Sequence, residues 1–123
     1  MQGSRVARDV ASGVVLVVAI LSAASQIYGA LFCIWAAGGP PTSVPALWSH
    51  RAEAYLCYAS VSLLLGLAAI LAIRAWRFTR PSLLLATVAV ALLAVPHLRE
   101  FWAVDLCLDR GGRWNAAAFA CQK

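Results

Sequence analysis

Arg74-Ala75-Trp76-Arg77-Phe78-Thr79-Arg80 is a short basic stretch set between two long apolar runs. Its three arginines cannot follow their neighbours into hydrocarbon, where a guanidinium is costly. Basic residues in short loops are retained on the cytoplasmic side of a membrane. Arg74, Arg77 and Arg80 therefore assign this loop to the cytoplasm, and Trp76 and Phe78 between them suit the headgroup zone. The rest of the chain takes its side from here.

Working outward, the chain is 63% hydrophobic and 12% charged, whereas soluble domains carry roughly a quarter charged residues. Ionisable residues are nearly absent from residues 10–37, 54–73 and 81–95, windows of about the length a bilayer demands of a helix. The expected fold is an all-α integral membrane protein with three transmembrane helices and a short, disulfide-closed C-terminal tail. It forms one domain, with spans at about 10–37, 53–74 and 81–104, an outer loop at 38–52, a cytoplasmic loop at 74–80 and an external tail at 105–123. Gly38, Gly39, Pro40, Pro41 and Pro45 break the first helix from the second, because proline removes a donor and glycine costs backbone entropy. Residues 82–95 alone would span only about 21 Å at 1.5 Å per residue, short of the roughly 30 Å core. The third helix is therefore expected to kink at Pro96 and continue as an amphipathic extension carrying Leu98, Phe101, Trp102, Leu106 and Leu108, with Gly111-Gly112 as its stop.

Each span carries a face of small residues. Ser22, Gln26, Gly29 and Cys33 recur at steps of four, three and four, with Ser25 beside them. Ala59, Ser62, Gly66 and Ala69 do so in the second helix, and Thr87, Ala91 and Ala94 in the third. Small residues on one stripe let helices approach closely and hydrogen-bond across the contact. Ser22, Gln26, Gly29, Ser62, Gly66, Thr87 and Ala91 are thus expected at packing seams. A polar path through the membrane would need an ionisable group at mid-depth, and the stripes hold none.

Three spans with the basic loop inside place the N-terminus in the cytoplasm and the C-terminus outside. Arg5, Arg8, Arg74, Arg77 and Arg80 face only Asp9 on the inner side, while the outer charges nearly balance. A signal peptide cleaved near Ser22-Ala23-Ala24 is the alternative for the first run, but apolar character continues through Trp35. The net charge of +5 is concentrated at helix ends, as topology signals are, and does not indicate nucleic acid. Arginine far outnumbers lysine and alanine is abundant, a composition that suits a bacterial chain and hence a bacterial inner membrane.

All four cysteines fall on the outer side, where a periplasm permits disulfides. Cys107 and Cys121 bracket a diglycine turn, and closing that loop contributes about 3 kcal/mol in chain-entropy reasoning. A structural bridge is expected there; for Cys33 and Cys57 both a second pair and two free thiols stay open. The pattern Cys107-Leu108-Asp109-Arg110-Gly111-Gly112-Arg113-Trp114 resembles one at the ends of various small exported bacterial proteins. That resemblance covers the tail alone and implies no activity.

No cysteine pair has C-x-x-C spacing, and no nucleophile elbow, phosphate loop or HExxH stands in the sequence. His50 has no second ligand at metal spacing, so it reads as an interfacial residue beside Trp48. No cofactor, metal or catalytic residue is expected. The reading is a non-enzymatic membrane protein surrounded by lipid that binds a protein partner or assembles with itself, such as an immunity protein against an envelope-targeting toxin or an accessory subunit of a membrane complex. A small oligomeric transporter or channel is one alternative, for which Glu53 and His97 are the nearest charged candidates. A membrane thiol-disulfide oxidoreductase using the outer cysteines is the other.

Overall fold

The computed structural model describes residues 2–39 and 44–123. Three helices, α1 (Gln2–Gly38), α2 (Pro45–Ala75) and α3 (Arg80–Asp109), precede two short strands, β1 (Arg113–Asn115) and β2 (Ala120–Gln122). All three helices are long and apolar enough to cross a membrane, and the chain is a three-helix integral membrane protein. At 37, 31 and 30 residues they measure about 55, 46 and 45 Å, each more than the roughly 30 Å hydrocarbon core.

That excess length corrects the expected boundaries. Apolar composition marks only the part of a helix that meets hydrocarbon, while the backbone stays helical into the headgroup zone. Residues 45–52, expected in the outer loop, form the first turns of α2. Residues 40–43 of that loop lie outside the described residues. Between α2 and α3 only residues 76–79 remain non-helical. Trp76 ends α2 in the left-handed region at φ 54°, its N–H donating to the Ile73 carbonyl at 3.4 Å. Thr79 then opens α3 with a capping box: the Thr79 N–H donates to Ser82 Oγ at 2.9 Å and the Ser82 N–H to Thr79 Oγ1 at 3.4 Å. Two orphan amides are satisfied reciprocally, and Pro81 in the first turn loses nothing by lacking its N–H. Pro96 lies buried within α3, and the helix continues through it.

The helices run up, down and up, with α2 packed against both neighbours and no comparable α1–α3 contact among the described residues. On α1 one row of buried and half-buried positions runs through Arg8, Ser12, Val15, Ala19, Ser22, Gln26, Gly29, Cys33 and Ala36, with Ala23, Ala30 and Ala37 buried or half-buried beside it. The steps alternate four and three, the spacing that keeps one seam facing a single partner helix. The residues on this seam are mostly small, and close approach follows. A Cβ on Gly66 would stand 2.5 Å from Ala19 Cβ, and one on Gly29 would stand 3.2 Å from the Tyr55 ring. Ser22 Oγ and Ser62 Oγ lie 3.1 Å apart. Ser62 already donates its proton to the Tyr58 carbonyl at 3.0 Å, so Ser22 is the donor between the two hydroxyls.

On α3 the buried residues are Ser82, Ala89, Pro96 and Cys107, and Ser82, Leu83 and Ala86 line a cleft with Leu65, Ala68 and Ala69 of α2. Thr87 and Ala91, expected at the seam, are exposed. Alanines occur on several faces of this helix, and Thr87 satisfies its hydroxyl within its own helix by donating to the Leu83 carbonyl at 2.9 Å. The expected face was therefore misplaced around the helix axis.

Candidate functional site

The tail end of the bundle gathers the C-terminus of α1, the N-terminus of α2, the end of α3 and the hairpin. Gly111 adopts φ +69°, a conformation open to glycine without a Cβ penalty. The Gly111 N–H donates to the Leu108 carbonyl at 2.9 Å and the Gly112 N–H to the Cys107 carbonyl at 3.0 Å, the two bonds of a Schellman turn. The chain reverses there and forms the antiparallel pair β1–β2, with Trp114 opposite Cys121. Cys107 and Cys121 are disulfide-bonded, their Cα atoms 5.5 Å apart. A side chain at Gly112 would collide with the Cys121 sulfur, so the diglycine serves both the turn and the bridge.

The hairpin turn is held by Asn115, whose Oδ1 accepts from the Ala117 N–H at 3.0 Å and the Ala118 N–H at 3.3 Å. Phe119 closes it at φ 49°. Its ring stacks on His50 of α2, centroids 4.0 Å apart and 15° from parallel, and meets Trp114 edge-on at 5.2 Å. The tail is thus fastened to α3 covalently and to α2 by aromatic contact. His50, expected at the interface, becomes the seat for the tail. Nearby, Glu53 of α2 and Arg99 of α3 form an ion pair, both about half exposed. Glu53 therefore has a charged partner on α3. On the other side of α2, Trp48 meets Phe32 of α1 edge-on at 6.1 Å, with the Arg51 guanidinium 5.3 Å from the Trp48 ring.

Cys33 and Cys57 are free thiols, the first buried and the second partly so. The α1–α2 register explains why. Seven residues separate Ser22 from Gly29, and seven separate their partners Ser62 and Tyr55. Continuing four residues from Gly29 to Cys33 leads on α2 to the neighbourhood of Ala52, five residues or about 7.5 Å of helix from Cys57. Among the described residues no three His, Cys, Asp or Glu side chains gather as metal ligands. Family models, curated proteins and solved structures give no match to this chain.

At the opposite end lies the basic stretch. Arg74 lies in the last turn of α2, Arg80 begins α3 and Arg77 sits in the turn between them. The same register that pairs Ser22 with Ser62 carries fourteen residues back to Arg8 and fourteen onward to Trp76, and the Arg8 guanidinium lies 5.7 Å from the Trp76 ring centroid. Arg5, Arg8 and Asp9 share a cleft with Arg74. Neither this convergence nor the His50–Phe119 stack is a local motif. Only the antiparallel register could have revealed the first, and the second depends on how the hairpin folds back.

Proposed function

We propose that this chain is a small, non-enzymatic bacterial inner-membrane protein that binds a protein partner through its tail end. The observation that carries this reading is the tail itself. Residues 110–123 are constrained three times over, by the Schellman turn, the disulfide and the stack on His50. A surface ordered before it meets a partner spends less free energy on ordering when it binds. Arg113, Gln122 and Lys123 stand exposed on that hairpin, and exposed polar side chains of this kind suit the rim of a protein interface. An immunity protein and an accessory subunit are two forms of the same activity. A toxin gene beside this one would favour the first, and respiratory or secretion genes the second.

A photo-crosslinking residue at Arg113 or Gln122 in the full-length chain is expected to give one discrete adduct with another protein, lost on Cys107→Ser. Adducts with lipid only would sink the reading, and an adduct with a second copy would replace it with self-assembly.

The same reading puts the N-terminus and the 74–80 stretch in the cytoplasm and the tail in the periplasm. Alkaline phosphatase fused after Lys123 should be active, and the same enzyme fused after Phe78 inactive. The reverse pattern would place the cysteines in a reducing compartment and remove the basis for an oxidised tail.

A further inference from the structure

The five arginines at the loop end lie on α1, on α2, in the α2–α3 turn and at the start of α3, and the fold draws four of them around two adjoining clefts. One cleft of about 340 Å³ is lined by Arg5, Arg8, Asp9 and Arg74. The next, of about 360 Å³, is lined by Arg8, Ala72, Ile73, Trp76, Arg77 and Phe78. Arg8 belongs to both. Among the described residues none of these guanidiniums lies within ion-pair distance of a carboxylate, the ion pair of the chain being Arg99 with Glu53 at the other end. Asp9, the carboxylate among these lining residues, offsets one of the four guanidiniums, and the surplus like charge favours an anion from outside. The polar cleft and the apolar one have Arg8 in common, and its guanidinium lies 5.7 Å from the Trp76 ring centroid.

We propose that these clefts bind one anionic phospholipid, its phosphate held by Arg5, Arg8 and Arg74 and the upper part of an acyl chain laid along Ile73, Trp76 and Phe78. The occupant must be anionic at one end and apolar at the other, which a phospholipid satisfies and a free phosphate does not. The level fits as well. Arg74 lies in the last turn of a helix longer than the hydrocarbon core, which would bring it to the headgroup zone, and basic pockets between membrane helices hold such headgroups. Trp76, exposed and in the left-handed conformation, is placed to separate headgroup from chain, as aromatic residues do at this interface. The site is independent of the partner proposed at the tail.

Native mass spectrometry of the full-length protein tests it, with phosphatidylglycerol and phosphatidylcholine of identical acyl chains supplied together. Retention of phosphatidylglycerol should exceed that of phosphatidylcholine and fall about fivefold for each of Arg5→Gln, Arg8→Gln and Arg74→Gln, the effect of about one surface arginine on an anionic lipid. Arg110→Gln and Arg113→Gln at the tail should leave retention unchanged. Equal retention of the two lipids by the unaltered chain overturns the proposal without recourse to any variant. Inorganic phosphate at millimolar concentration that displaces phosphatidylglycerol completely would also overturn it, showing a free-anion site with no acyl contribution. A drop with Phe78→Ala, which changes no charge, would support the acyl groove.

Discussion

Gly66→Leu is expected to leave little folded protein in the membrane. The position faces Ala19 so closely that the first added carbon would stand 2.5 Å from the alanine methyl, well inside contact distance. The alanine side chain has no rotamer by which to retreat, so the two helix axes must separate. Overpacking of a close seam costs about 1–3 kcal/mol, and leucine brings three carbons more than the first. Separation would also strain the Ser22–Ser62 bond one turn away, an interaction worth about 0.6 kcal/mol in membranes on average. Fluorescence-detected size exclusion after heating, with the amount of membrane protein as a second readout, checks the effect. Gly29→Leu should do less harm, because the neighbour it meets is the ring of Tyr55, which can swing aside. A Gly66→Leu protein with wild-type abundance and melting would remove the α1–α2 seam as a source of stability.

Cys107→Ser and Cys121→Ser should each release the tail, and the double substitution should be no worse than either alone. The bridge closes a loop of sequence separation 14, worth about 3 kcal/mol in chain-entropy reasoning. Strands of three residues have no stability of their own in water, so the hairpin depends on the bridge, the Schellman turn and the His50–Phe119 stack together. Trypsin cleavage after Arg110 and Arg113 is the readout, slow in the native chain and fast in the variants. Alkylation of denatured, non-reduced protein from an oxidising compartment should label the two free cysteines and no others. Four labelled cysteines, or variants as resistant to trypsin as the parent, would refute a clamped tail.

The three spans were legible because charge is nearly excluded from hydrocarbon, which leaves residues 10–37, 54–73 and 81–95 almost free of ionisable groups. The Cys107–Cys121 bridge was legible because the diglycine turn at Gly111 supplies the reversal a bridge needs. Other features turned on relations that local composition does not encode. Thr87 and Ala91 were placed on the wrong face of α3 because small residues there occur all round the helix, and only the contact with Ala68 and Ala69 selects Ser82 and Ala86. Helix ends ran beyond the apolar windows because backbone hydrogen bonding continues where side chains become polar. The question left open between Cys33 and Cys57 was one of register, set by Gly29, Ser62 and Gly66 many residues away. The candidate site was least visible of all, since the meeting of Phe119 with His50 joins segments that neither periodicity nor spacing relates.

Because among the described residues α2 packs against both other helices and α1 and α3 make no comparable contact, the two helix interfaces can form in the order of synthesis. Once residue 75 has left the ribosome and entered the bilayer, α1 and α2 possess every group of their shared seam and can close it without α3. The third helix then docks on a surface already formed, as the two-stage view of membrane folding allows. Oxidation of the tail comes last, since Cys121 is synthesised after everything it will be fastened to. The contacts thus allow biogenesis to proceed along the chain one interface at a time, and a ribosome paused between α2 and α3 is expected to display a closed α1–α2 pair.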